Sequence, residues 1–119
     1  MPKKFVSDFK VVSNDKLNES YFRLRIAYNG ELPIILPGQF AEIRVDGSST
    51  TFLRRPISIH DVNIDKNEID LLINIVGDGT QTLSRLKSGD LLNMVYLLGN
   101  GFNLLSKDSS ALLVGGGVG

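Results

Sequence analysis

The sequence predicts an all-β domain, a closed antiparallel barrel carrying one short helix. Three observations predict it. Apolar residues recur at every second position through six segments, the period of half-buried strands. Polar stretches rich in Asn, Gly, Pro and Asp separate those segments. A single stretch, "TQTLSRLK", has helical spacing. A β-sandwich is the alternative for strands of this length.

Each element has its own justification. "FVSDFKVV" opens the series. In "SYFRLRIAY", Phe22, Leu24, Ile26 and Tyr28 fall on one face, with Arg23 and Arg25 on the other. "FAEIRV" alternates Ala41, Ile43 and Val45 against Glu42 and Arg44. "FLRRPISI" is a fourth strand, although Pro56 cannot donate a ladder hydrogen bond. "EIDLLINIV" puts Ile69, Leu71, Ile73 and Ile75 on one side. "DLLNMVYLL" sets Leu92, Met94, Tyr96 and Leu98 against Leu91, Asn93, Val95 and Leu97. Asp-Gly in "VDGSS" is a favoured hairpin pair. The helix is expected from Thr80, as N-cap, to Lys87, with Leu83 and Leu86 facing the core. "ALLVGG" near the end is a continuous apolar run, which suits a parallel strand buried on both faces. It follows the polar "SKDSS". The expected organisation is therefore a barrel over residues 1–107, then a linker, first strand and glycine-rich turn of a second domain over 108–119.

Composition narrows the function. The 119 residues are one domain's worth, with 42% hydrophobic and 22% charged residues, ordinary globular values. Formal net charge is zero, so nothing suggests a nucleic-acid surface or a polybasic membrane patch. No cysteine is present, which removes disulfides, thiolate catalysis and cysteine-held zinc or iron–sulfur sites. A single histidine argues against a multi-histidine metal site in this sequence. No signal-peptide core or transmembrane run appears, so a cytoplasmic protein without a membrane partner is expected.

Three stretches carry chemistry. In "LRRPISI", the break at Pro56 frees groups to face something other than a neighbouring strand. Arg55 suits a phosphate through its guanidinium fork, and Ser58 suits a ring nitrogen or carbonyl. The same arginines equally suit the exposed face of an edge strand. In "VGDGTQTLSRL", Gly77 and Gly79 allow close approach to the backbone before a helix start, whose free N–H groups attract anions. A plain helix-capping turn explains that stretch as well. "GGGVG" after an apolar strand has the form of a phosphate-cradling turn. His60 reads as a surface residue, and Asp61, Asp65, Glu68 and Asp70 as solvated charge.

Together, in this order, these stretches resemble the ferredoxin reductase superfamily along essentially the whole chain. The resemblance implies a six-stranded Greek-key FAD-binding barrel followed by an NAD-binding domain. Its flavin signature is Arg55-Pro56-Ile57-Ser58, its helix-start pair is Gly79-Thr80, and "LLVGGGVG" opens the second domain. "PGQFAEIRV", "LRRPISI", "VGDGTQTLSRLKSGD" and "LGNGF" are similar to the electron-transfer subunits of bacterial dihydroorotate dehydrogenases. That likeness implies FAD, a [2Fe–2S] cluster and NAD in the full-length protein, and a catalytic-subunit partner in a heterotetramer serving pyrimidine biosynthesis. It implies Arg55 on the FAD pyrophosphate, Pro56 and Ile57 against the isoalloxazine, Ser58 near its redox-active nitrogen, and Gly79 and Thr80 donating to the pyrophosphate through N–H and hydroxyl. Leu72, Ile73 and Asn74 match a cofactor-lining stretch. The subunits often have Tyr-Arg at the Ile73-Asn74 positions, so an arginine contact is lost there. No residue is expected to act as acid, base, nucleophile or metal ligand. Other flavin electron-transfer subunits, of an NADH-dependent ferredoxin:NADP oxidoreductase or a sulfide dehydrogenase, fit the same motifs. A barrel binding module without flavin is the remaining alternative.

Overall fold

The computed structural model describes residues 4–117; Val118 and Gly119 of the terminal glycine-rich stretch lie outside the described residues. Six strands form: β1 (Phe5–Lys16), β2 (Tyr21–Ala27), β3 (Phe40–Ile43), β4 (Arg55–Asn63), β5 (Glu68–Asn74) and β6 (Leu91–Leu98). One helix, α1 (Asp78–Leu83), lies between β5 and β6. The strands close into an antiparallel barrel in the order β1-β2-β5-β4-β3-β6. Strands β3, β4 and β5 are consecutive neighbours, and β6 returns beside β3, which is a Greek key. The expected barrel forms, and a two-sheet sandwich does not.

The period-two residues fill the interior. Phe22, Leu24, Ile26, Ala41, Ile43, Ile69, Leu71 and Met94 are fully buried, with Phe9, Ile73, Leu92 and Tyr96 within 2% of it. Two bulges shift the alternation. The β1–β2 register skips between Val11 and Ser13, so β1 continues through the polar "SNDK" after its apolar phase has ended. The β3–β6 register skips between Phe40 and Glu42, where Leu97 takes a positive φ of 63°.

Two expectations fail. The helix starts earlier and is shorter, with Gly77 as N-cap and Thr80 at its third position. The Thr80 hydroxyl reaches back to accept from Val76 N (2.8 Å) and Gly77 N (3.2 Å), so it closes the turn from inside the helix. Beyond Leu83 the chain tightens, with Arg85 N bonding Thr82 O and Leu86 N bonding Leu83 O. The strand expected at "ALLV" is absent: Leu112, Leu113 and Val114 are 87–91% exposed and form no ladder. An apolar run becomes a strand only beside a partner, and the closed barrel leaves no edge to supply one.

A candidate flavin site on the outer face of the barrel

β4 is the strand on which the site is built. Ile59 N donates to Gln39 O, which makes Gln39–Ile59, Ala41–Ile57 and Ile43–Arg55 the hydrogen-bonded pairs with β3. Pro56 and Ser58 occupy the non-hydrogen-bonded pairs, with Glu42 and Phe40. The missing N–H of Pro56 therefore costs the β3 ladder nothing. It points towards β5, and there the ladder ends at Ile59–Leu71. Pro56 does not interrupt β4, as the sequence suggested; it lies along a seam that is open on one side. The Ser58 N–H points into that seam.

The seam widens into a cavity of about 550 Å³. Pro56, Ser58 and His60 line it from β4, Leu72 and Asn74 from β5, with Val76 and Thr80 from the start of α1. Arg55, Val76 and Thr80 are shared with an adjoining cavity of about 200 Å³, which is walled by Thr51, Gly77, Asp78 and Gly79. One continuous surface thus runs from the helix start along the outer face of β4.

Charge is concentrated at the helix end. Two arginines adjacent in sequence have separate jobs. Arg54 is tied down: Nη1 donates to Glu42 O (3.3 Å) and Asn93 O (3.4 Å), and Nη2 to Asn93 Oδ1 (2.6 Å). Arg55 makes no ion pair or side-chain hydrogen bond among the described residues, and its stem lies over Gly79. A Cβ on Gly79 would stand 3.2 Å from Arg55 Cγ and from Thr51 Cγ2, so only glycine lets the two approach freely. Asp78 accepts from the Ser48, Thr50 (2.6 Å) and Thr51 (2.9 Å) hydroxyls. Those bonds hold its carboxyl below the ordinary range, keep it ionised, and fix the 48–51 loop to the helix start.

Proteins of known name and solved structures resemble this chain. No family model matches the chain. The Fusobacterium nucleatum protein named dihydroorotate dehydrogenase B (NAD(+)), electron transfer subunit, is 34% identical over 116 residues, covering 96% of this chain and 45% of that protein. The Bacillus mycoides protein of the same name is 48% identical over 85 residues, 70% of this chain and 33% of that protein. The chain is similar to these electron-transfer subunits along most of its own length. It spans less than half the length of those relatives. A solved NADH-dependent reduced ferredoxin-NADP oxidoreductase matches with a TM-score of 0.70 at 27% identity, over 80% of this chain and 34% of that one. A ferredoxin reductase of carbazole 1,9a-dioxygenase matches at 0.72 and 18% identity, over 88% of this chain and 33% of that one, a likeness of fold.

Most of the expected site residues converge. Arg55, Pro56, Ile57, Ser58, Leu72, Asn74 and Thr80 all line the larger cavity, and Gly79 the smaller. Ile73 does not line either: it is 1% exposed and points into the core, as its alternation with Leu72 and Asn74 requires. Only its backbone is placed to meet a ligand. Ile57 pairs with the buried Ala41 and packs on the core, so it forms the cavity floor. The Thr80 hydroxyl donates to Gly77 O (3.2 Å) and accepts twice, so its one proton is already committed. Its expected hydroxyl bond to a phosphate is not free to form in this arrangement. His60, read from sequence as an ordinary surface residue, lines the cavity at the bulge between Ile59 and Asp61. Phe102 was missed; it sits 39 residues or more from every β4 residue in sequence and enters the cavity from the loop after β6.

Proposed function

We propose that this chain is the FAD-holding barrel of an electron-transfer subunit that serves a dihydroorotate dehydrogenase catalytic subunit, passing electrons to NAD. The observation that carries the reading is the unpaired Arg55 lying across Gly79 at the helix start, at one end of a cavity on the outer face of β4. The residues fit the cofactor. Arg55 supplies a planar cation for the pyrophosphate, and the first N–H groups of α1 lie beside it. Gly79 leaves room for the backbone to meet phosphate oxygens. Pro56 and Leu72 offer apolar surface to a flat ring and exclude water from it. Ser58 presents an N–H and a hydroxyl where a ring heteroatom needs a fixed partner. Bound FAD supplies two-electron chemistry towards a nicotinamide and one-electron chemistry towards an iron–sulfur centre. The protein's part is to hold, orient and shield it, so no side chain is assigned as acid, base or nucleophile.

The residues do not fit a [2Fe–2S] cluster, because the sequence contains no cysteine. In this reading, residues 1–107 hold the FAD and residues 108–119 lead towards an NAD-binding domain, with the cluster ligands on further sequence. The partner is the dehydrogenase catalytic subunit, in a cytoplasmic heterotetramer; no helix among the described residues is long and apolar enough to cross a membrane. The 27% identity to the ferredoxin-NADP oxidoreductase structure supports a second reading, in which the same barrel serves another flavin complex. The catalytic subunit that co-purifies decides between them. Equilibration with FAD followed by desalting tests the shared core of both: retained flavin absorbance is expected, and a colourless protein sinks both.

A further inference from the structure

Phe102 is 73% exposed, yet its position is strongly fixed. Its N–H donates to Pro37 O at 2.7 Å. Buried Gln39 accepts from Leu36 N (2.9 Å) and donates to Gly99 O (3.3 Å), joining the 36–39 loop to the segment after β6. Three glycines make the crossing possible. A Cβ on Gly101 would lie 2.7 Å from Leu36 Cβ, one on Gly99 3.0 Å from the Phe40 ring, and one on Gly38 3.2 Å from the Phe102 ring. A large apolar ring that faces solvent from a fixed backbone leaves its area uncovered. It fits a surface that a ligand completes.

The position along the cavity says which part of the ligand. Gln39 O bonds Ile59 N, so the 36–39 loop, whose Pro37 O accepts from Phe102 N, meets β4 at Ile59, four residues from Arg55. At the strand rise of ~3.3 Å per residue this is roughly 13 Å from the cationic end. With phosphates at Arg55, a ring system occupies the other end. The remaining lining is aliphatic or polar apart from His60, and Ile57 has no aromatic face. Resting on the FAD reading, we propose that Phe102 forms the aromatic wall against the flavin ring system.

Phe102→Trp tests this by spectroscopy, because an indole stacked on an isoalloxazine quenches its emission. The expected result is FAD affinity within a few-fold of wild type, with the emission of bound flavin falling to a small fraction of the wild-type value. Phe102→Ala is expected to raise the FAD Kd roughly tenfold, the scale of an aromatic contact, with an unchanged melting temperature because the ring is mostly exposed. Unquenched bound flavin in the Phe102→Trp variant overturns the proposal, as does an unchanged Kd in Phe102→Ala. So does a response of the introduced indole's emission to ADP alone with the flavin unquenched, which places the adenine there. Failure of the wild-type chain to bind FAD fells the FAD reading itself, a result distinct from normal binding without quenching.

Discussion

Replacing Arg55 with alanine separates ligand recognition from folding, because the structure gives its side chain no intramolecular bond to lose. A charge-assisted hydrogen bond from a guanidinium to a pyrophosphate contributes on the order of 1.5–3 kcal/mol. The FAD Kd should therefore rise about 10- to 150-fold. The melting temperature of the flavin-free protein should stay within about 1 °C, as for surface changes generally. Arg54→Ala is the matched control. It removes donors to Glu42 O, Asn93 O and Asn93 Oδ1; Asn93 O keeps its bond from Arg44 N, whereas Asn93 Oδ1 loses its 2.6 Å donor. A loss of about 1–3 kcal/mol of stability is expected, with FAD affinity little changed where the protein remains folded. Isothermal titration with FAD and thermal denaturation of both variants make the comparison. Equal FAD affinity in wild type and Arg55→Ala refutes the assignment. A lowered melting temperature in Arg55→Ala shows that the arginine is structural after all.

Gly79→Ala places a methyl 3.2–3.3 Å from the Arg55 stem and Thr51; FAD affinity should fall several-fold while calorimetry shows stability changed by less than about 1 kcal/mol, since alanine favours the helix. Asp70 and Asp78 are both held below the ordinary carboxylate value of 3.8, Asp70 first by its hydrogen bonds from Arg25 and Asp78 first by that from Ser48. Such groups add stability that is complete above the unfolded pKa and is lost as pH falls through the lower folded value. Thermal melts from pH 5 down to about 2 should show a drop that is smaller in Asp70→Asn and Asp78→Asn than in wild type, and an equal drop in all three assigns acid sensitivity elsewhere.

The strands were legible because a barrel wall imposes a period of two, which β2 shows without interruption, whereas the bulge near the end of β6 packs Leu97 on the core where the alternation expected Leu98. The terminal run was not, since the apolar pattern of "ALLV" reports what the segment is suited to pair with, not whether a partner is present. The helix start was misplaced by three residues because threonine is a common N-cap. The Thr80 hydroxyl serves the same N–H groups from the third helical position instead. Within the site, the motif located Arg55 and Ser58, but the division of labour between Arg54 and Arg55 depends on Asn93, which lies on another strand. Ile73 was grouped with Leu72 and Asn74 by adjacency, although strand alternation sends it to the opposite face. Phe102 had only its presence in "LGNGF" to mark it; its role in the cavity depends on the Gln39 clamp and three glycine contacts that no local pattern encodes.

The central claim is that the outer face of β4, from the α1 start to Phe102, is where FAD binds. Backbone amide NMR spectra of the isotopically labelled chain, recorded as FAD is added, test it residue by residue. The account predicts saturable shifts at Ser58, Gly79, Thr80 and Phe102, with β1 and the far side of β2 unaffected. Shifts confined to other parts of the barrel, or no shifts at saturating FAD, would contradict it.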